Sequence, residues 1–197
     1  MYNASLLEKF DFYETILSIK SSNSKNVIEA NRILAEKCAY PLHIGVTEAG
    51  SLKTGILKSA VGIGALLTDG IGDTIRVSLT ADPKEEIKAA RDILKAVGYN
   101  ANGINLVSCP TCGRTQIDLV SLVNEFESRI DDIKISRPIT VALMGCAVNG
   151  PGEAREADIG IAGGKGEALL IKKGQIIRKI PEDKIIDQLI EEIEKLD

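Results

Sequence analysis

The chain has 197 residues, 44% of them hydrophobic and 4% aromatic, with a formal net charge of -4. That is enough for one domain or two small ones around an ordinary core, and without Trp, a basic stripe or an acidic tail nothing points to a nucleic-acid partner. The N-terminus carries Glu8 and Asp11 with no long apolar run, unlike a secretory signal, and the apolar stretch 60–67 is far short of the ~20 residues a membrane span needs. A soluble, cytoplasmic protein with no membrane partner is expected, and there thiols stay reduced.

Four β-rich runs stand out: TILSIK (15–20), LHIGVT (42–47), TIRVSLT (74–80) and GINLVS (103–108). Helical patterns follow the first three, the signature of βα units in a parallel sheet. Val27, Ala30, Leu34 and Cys38 mark the apolar face of the first helix. The second is looser and glycine-bearing, with Ile56, Leu57, Ala60 and Leu67 on its apolar side. The third has Asp82 as cap, Pro83 in its first position and Glu85 where a capping-box carboxylate belongs. Ile87, Ala90, Leu94 and Val97 form its expected apolar face, and Gly98 ends it. Lys20, Glu48 and Arg76 are spaced 28 residues apart. Each falls near the C-terminal end of its strand, the edge where ligands bind in βα architectures.

After Cys112 the rhythm changes. Residues 115–130 read as a helix capped by Thr115, with Leu119, Leu122, Val123, Phe126 and Ile130 on one side. Residues 139–146 read as a strand running into Cys146. The NGPGE segment, 149–153, is expected to be a tight turn with unusual backbone angles. Three short strands joined at glycines and a closing helix from Glu182 to about Leu196 complete a small α+β region, with a boundary near residues 100–108.

Cys109 and Cys112 flank Pro110 and Thr111; the other cysteines are Cys38 and Cys146, and the single histidine is His43. A structural zinc site commonly needs two close ligand pairs, and the second is missing. A dithiol redox pair would sit between a strand and a helix N-terminus. Inert reduced cysteines are a further reading. An iron–sulfur cluster on Cys109, Cys112 and Cys146 would exploit the glycines beside Cys146, whose backbone N–H groups can approach sulfide. Glu153 is then a candidate oxygen ligand. Cys38 and His43 are taken as packing residues.

GVTEAG (45–50), GIGDTIRVSL (70–79), CPTCGR (109–114) and GCAVNGPGEA (145–154) together resemble the 4-hydroxy-3-methylbut-2-enyl diphosphate synthase family of the non-mevalonate isoprenoid pathway. The resemblance implies an iron–sulfur oxidoreductase. It opens 2-C-methyl-D-erythritol 2,4-cyclodiphosphate reductively, with loss of a hydroxyl. It also implies a [4Fe-4S] cluster on Cys109, Cys112, Cys146 and Glu153. Lys20, Arg76, Ser78 and Asn149 would bind substrate, and Glu48 would handle protons. Ferredoxin or flavodoxin would supply electrons to a homodimer. The implied fold is α/β: residues 1–102 would be the last βα units of an incomplete TIM-type barrel, and 103–197 a small α+β iron–sulfur domain. The preceding barrel units lie outside the chain. Met1 is therefore expected not to be the natural start, and the chain alone is expected to bind a cluster without turning over substrate.

Overall fold

A computed structural model of the chain describes residues 2–99, 103–130, 133, 135–148 and 150–196. The chain divides into two compact units, residues 1–99 and 100–197.

In the first unit, helix α1 (Tyr2–Glu8) precedes an extended segment, and three longer helices follow: α2 (Ser24–Ala35), α3 (Leu52–Thr68) and α4 (Pro83–Ala96). Strands β1 (His43–Gly45) and β2 (Thr74–Arg76) pair in parallel. The first expected strand is irregular: only Leu17 and Ser21 bridge to Leu42 and Val46, again in parallel. The sheet's inner face carries Ile44, Val46 and Val77, all buried against the three helices. No closed barrel forms among the described residues.

Two helix faces differ from expectation. In α3 the glycines themselves form the buried seam, because backbones pack there at distances a side chain forbids. A Cβ on Gly62 would lie 2.7 Å from Val46, and one on Gly55 would lie 2.5 Å from Leu79. Leu57 points to solvent. In α4 the seam runs through Ala89 and Ile93, and Ile87 is exposed. Asp82 does cap α4, accepting from Lys84 N–H at 2.9 Å. The second carboxylate is Glu86, not Glu85, and it holds Leu79 N–H at 2.7 Å. Gly98 closes the helix with φ 89°, a left-handed position that suits glycine. Asn31, unexpected in a core, is fully buried in α2; its amide donates to the carbonyls of Ile19 and Val27.

The second unit is one five-stranded sheet ordered β3-β4-β5-β6-β7. β3 (Gly103–Ser108), β4 (Pro138–Met144) and β5 (Ile159–Gly163) run parallel; β6 (Glu167–Lys172) and β7 (Gln175–Pro181) are antiparallel. Lys173 and Gly174, both with positive φ, form the two-residue hairpin between β6 and β7. Helices α5 (Leu119–Ile130) and α7 (Ile185–Glu194), the latter preceded by a 3₁₀ turn (Glu182–Lys184), cover one face around Phe126, Ile139, Ile161 and Leu189. The helix cap is Asp118, not Thr115: its carboxylate takes Ser121 N–H and Oγ–H. On the other face α6 (Gly150–Glu153) and its flanks pack Ala154 and Ala157 on Ala142, Met144 and Ala162. The expected tight turn is thus one turn of helix. Gly150 is needed there for closeness, since a Cβ would lie 2.5 Å from that of Ala162.

Candidate metal and anion sites

Cys109 directly follows β3 and Cys146 lies just beyond β4, at neighbouring C-terminal ends of parallel strands paired Ser108 to Leu143. The Gly145 N–H donates to Cys109 Sγ at 3.3 Å. A backbone donor thus already sits on a sulfur, as expected where thiolate charge must be balanced. Cys112 is tied to the same place through Thr115. Cys112 N–H donates to Thr115 Oγ1 at 3.1 Å, Thr115 N–H returns to Cys112 O at 3.0 Å, and Gln116 N–H binds Gly145 O at 2.9 Å. The side chain of Thr115 fills the space over Gly145, where a Cβ would meet its Cγ2 at 2.8 Å. This explains why Thr115 does not cap α5: its hydroxyl is committed to the cysteine loop.

The three thiols differ in exposure: Cys112 is exposed, Cys109 half-buried and Cys146 buried. The Arg114 backbone N–H, helped by its guanidinium and the Thr115 hydroxyl, holds the Cys112 thiol below its usual range. Helix α5 begins only at Leu119, so the pair is not seated on a helix N-terminus as a dithiol redox motif would be. Cys109 also packs against the cluster that contains Ala154, the residue after Glu153. Glu153 closes α6; its side chain and all of Asn149 lie outside the described residues. Among the described residues no group of three or more His, Cys, Asp or Glu is placed to hold a metal ion. Cys38 lies beyond α2 against the first unit's core, with Sγ bonded to Leu34 O at 3.4 Å.

In the first unit the equal sequence spacing does not put Lys20, Glu48 and Arg76 at one level. The bridges match residue 17 with 42 and 21 with 46, and the β1–β2 register matches Gly45 with Arg76. Lys20, Gly45 and Arg76 therefore form one row across the sheet, with His43 and Thr74 in the row beneath. Ser78 continues the outward-facing side of β2 past buried Val77. Glu48 lies beyond β1, exposed, with φ 51°. Burial, then the charge of Arg76, holds Lys20 below its usual range.

The family model described as the GcpE TIM-barrel domain matches residues 1–91, and that of the GcpE protein C-terminal domain matches residues 105–195. The chain belongs to the GcpE family. Among GcpE relatives, the 4-hydroxy-3-methylbut-2-en-1-yl diphosphate synthase (flavodoxin) of Clostridium acetobutylicum is 55% identical over 194 residues, 98% of this chain and 55% of that protein. Its namesake in Clostridium perfringens is 57% identical over 98% of this chain and 55% of that protein. The one in Geobacillus thermodenitrificans is 56% identical over 100% of this chain and 52% of that protein. The chain thus spans about half the length of the curated relatives it matches. No helix of the described residues is long and apolar enough to cross a membrane.

Proposed function

We propose that this GcpE chain is the C-terminal portion of a cytoplasmic enzyme that converts 2-C-methyl-D-erythritol 2,4-cyclodiphosphate to (E)-4-hydroxy-3-methylbut-2-enyl diphosphate. The ring opens at a carbon–oxygen bond to phosphate, and a hydroxyl departs as water with two electrons and a proton taken up. A [4Fe-4S] cluster held by Cys109, Cys112, Cys146 and Glu153 supplies those electrons and a Lewis-acidic iron when bound. The observation that carries this reading is the Gly145 N–H on Cys109 Sγ, which couples the cysteine loop to the strand end leading to Cys146. The donor set suits iron–sulfide: three soft thiolates, plus a carboxylate that exchanges more readily than a thiolate.

The remaining work falls to the chain's own side chains. Lys20 and Arg76 neutralise diphosphate charge, and Ser78 donates a hydrogen bond to its oxygens. Asn149 helps to orient the substrate. Glu48 transfers the proton that accompanies hydroxyl loss. A flavodoxin-type carrier, the donor named in the relatives, or a ferredoxin delivers electrons, and the working enzyme is a homodimer. The test is chemical analysis of the chain reconstituted without oxygen. About four irons and as many acid-labile sulfides per chain are expected, with marked loss in Cys146→Ser. Iron and sulfide retained in full by Cys146→Ser, or zinc in place of both, would overturn the assignment.

A further inference from the structure

His43 is the only histidine, and the cyclodiphosphate chemistry proposed above gives it no task. It starts β1 on the sheet's outward side, opposite to buried Ile44. Its Nδ1 lies 2.8 Å from Thr74 Oγ1, its register partner on β2. Ser18 Oγ donates to its backbone carbonyl at 3.0 Å. One side of the imidazole is thus fixed, and among the described residues Nε2 has no partner.

The row above His43 is Lys20, Gly45 and Arg76. Two cations therefore flank a residue without a side chain, roughly 9–10 Å apart at their Cα positions by sheet spacing. Gly45 cannot be replaced by a bulkier residue, since a Cβ would lie 2.5 Å from Arg76 O. Gly45 is itself buried and puts no side chain between the two charges, and the imidazole lies in the row beneath. Each cation depresses protonation of its neighbours: His43 is held below its usual range by burial, then by Lys20 and Arg76. Among the described residues neither Lys20 nor Arg76 is ion-paired with a carboxylate. Mutually repelling cations are stabilised together by an anion.

We propose that His43 is a third contact, with Lys20 and Arg76, for a phosphate group of the substrate, and that it takes up a proton as that group binds. In the imidazolium both nitrogens donate: Nδ1–H to Thr74 Oγ1, and Nε2–H to an oxygen of the phosphate held by Lys20 and Arg76. The charged groups acting on the ring are Lys20 and Arg76, and Thr74 holds its Nδ1, while Ser18 binds the backbone carbonyl of the same residue. The substrate identity rests on the function proposed above; the anion site itself does not.

Because His43 is unique, its Cε1–H resonance can be followed without assignment in a tag-free chain. The experiment is an NMR pH titration of that proton with and without inorganic pyrophosphate. A depressed midpoint is expected in the free chain, rising by at least ~0.5 pH unit at saturation, equivalent to about threefold tighter binding by the imidazolium form. His43→Gln should then weaken pyrophosphate binding by up to about threefold at pH values well below the free midpoint, and hardly at pH 8. Lys20→Met and Arg76→Met should each raise the free midpoint. A midpoint unmoved by saturating pyrophosphate, or no pyrophosphate binding at tens of millimolar, overturns the proposal. Iron and sulfide content is read separately: a cluster-bearing chain with an unmoved midpoint loses only the His43 contact. A chain that takes up no cluster yet shows the midpoint shift loses only the reductive function.

Discussion

Glu48 sits in the left-handed backbone region at φ 51°, where a residue with a Cβ is strained. Its neighbours hold it there: Val46 and Ala49 are buried, and Thr47 N–H is bonded to Ser21 O at 3.1 Å. The strain costs on the order of 1–2 kcal/mol. Glycine removes it but gains freedom in the unfolded chain worth about 0.4–1 kcal/mol. Glu48→Gly should therefore be more stable than Glu48→Ala by about 0.5–1 kcal/mol, at roughly 4–8 °C per kcal/mol for a unit of this size. Glu48→Asn should fall between them, since Asn tolerates the region. All four tyrosines (Tyr2, Tyr13, Tyr40 and Tyr99) lie in the first unit, so urea unfolding followed by tyrosine fluorescence reads that unit alone. Glycine less stable than alanine at 48 would show that the backbone is not constrained as described, and would remove strain as a sign of a working residue.

Three other outcomes follow from single contacts. Gly150→Ala forces a Cβ to within 2.5 Å of Ala162, so it should cost about 1–3 kcal/mol and lower iron retention, measured by denaturation and iron assay of the reconstituted chain. Asp118→Ala should cost about 1 kcal/mol of α5 stability by circular dichroism, whereas Thr115→Val should leave the helix intact and disturb the Cys112 loop, read as faster thiol alkylation. The low protonation midpoint of His43 also has a sign: the unfolded chain takes the proton first. Stability should fall as pH drops through about 6.5, and this part of the slope should vanish in His43→Gln.

The sequence made the strong periodic elements legible, because capping chemistry and apolar spacing are local. Asp82, Pro83 and Gly98 bracket α4 as their chemistry demands. Failures arose where tertiary contacts decide. The buried glycine seam of α3 is set by how closely Val46 and Leu79 approach, and a pattern of large apolar residues cannot show that. Thr115 and Asp118 are both competent caps; the choice was made by the Cys112 backbone, which claims the threonine. Lys20 and Arg76 share a row because of strand register, not equal sequence spacing. The same register lifts His43 from a packing residue to a neighbour of both cations, with only its strand position and adjacent polar residues to hint at it beforehand.

At the centre lies the claim that Cys109, Cys112, Cys146 and Glu153 hold one cluster with a single oxygen-ligated iron. Mössbauer spectroscopy of the ⁵⁷Fe-reconstituted chain tests it most directly. One iron in about four should differ from the rest, as unequal ligation requires, and Glu153→Ala should change that minority signal while sparing the majority. A spectrum without a distinct minority iron, or one that Glu153→Ala leaves untouched, would contradict the account.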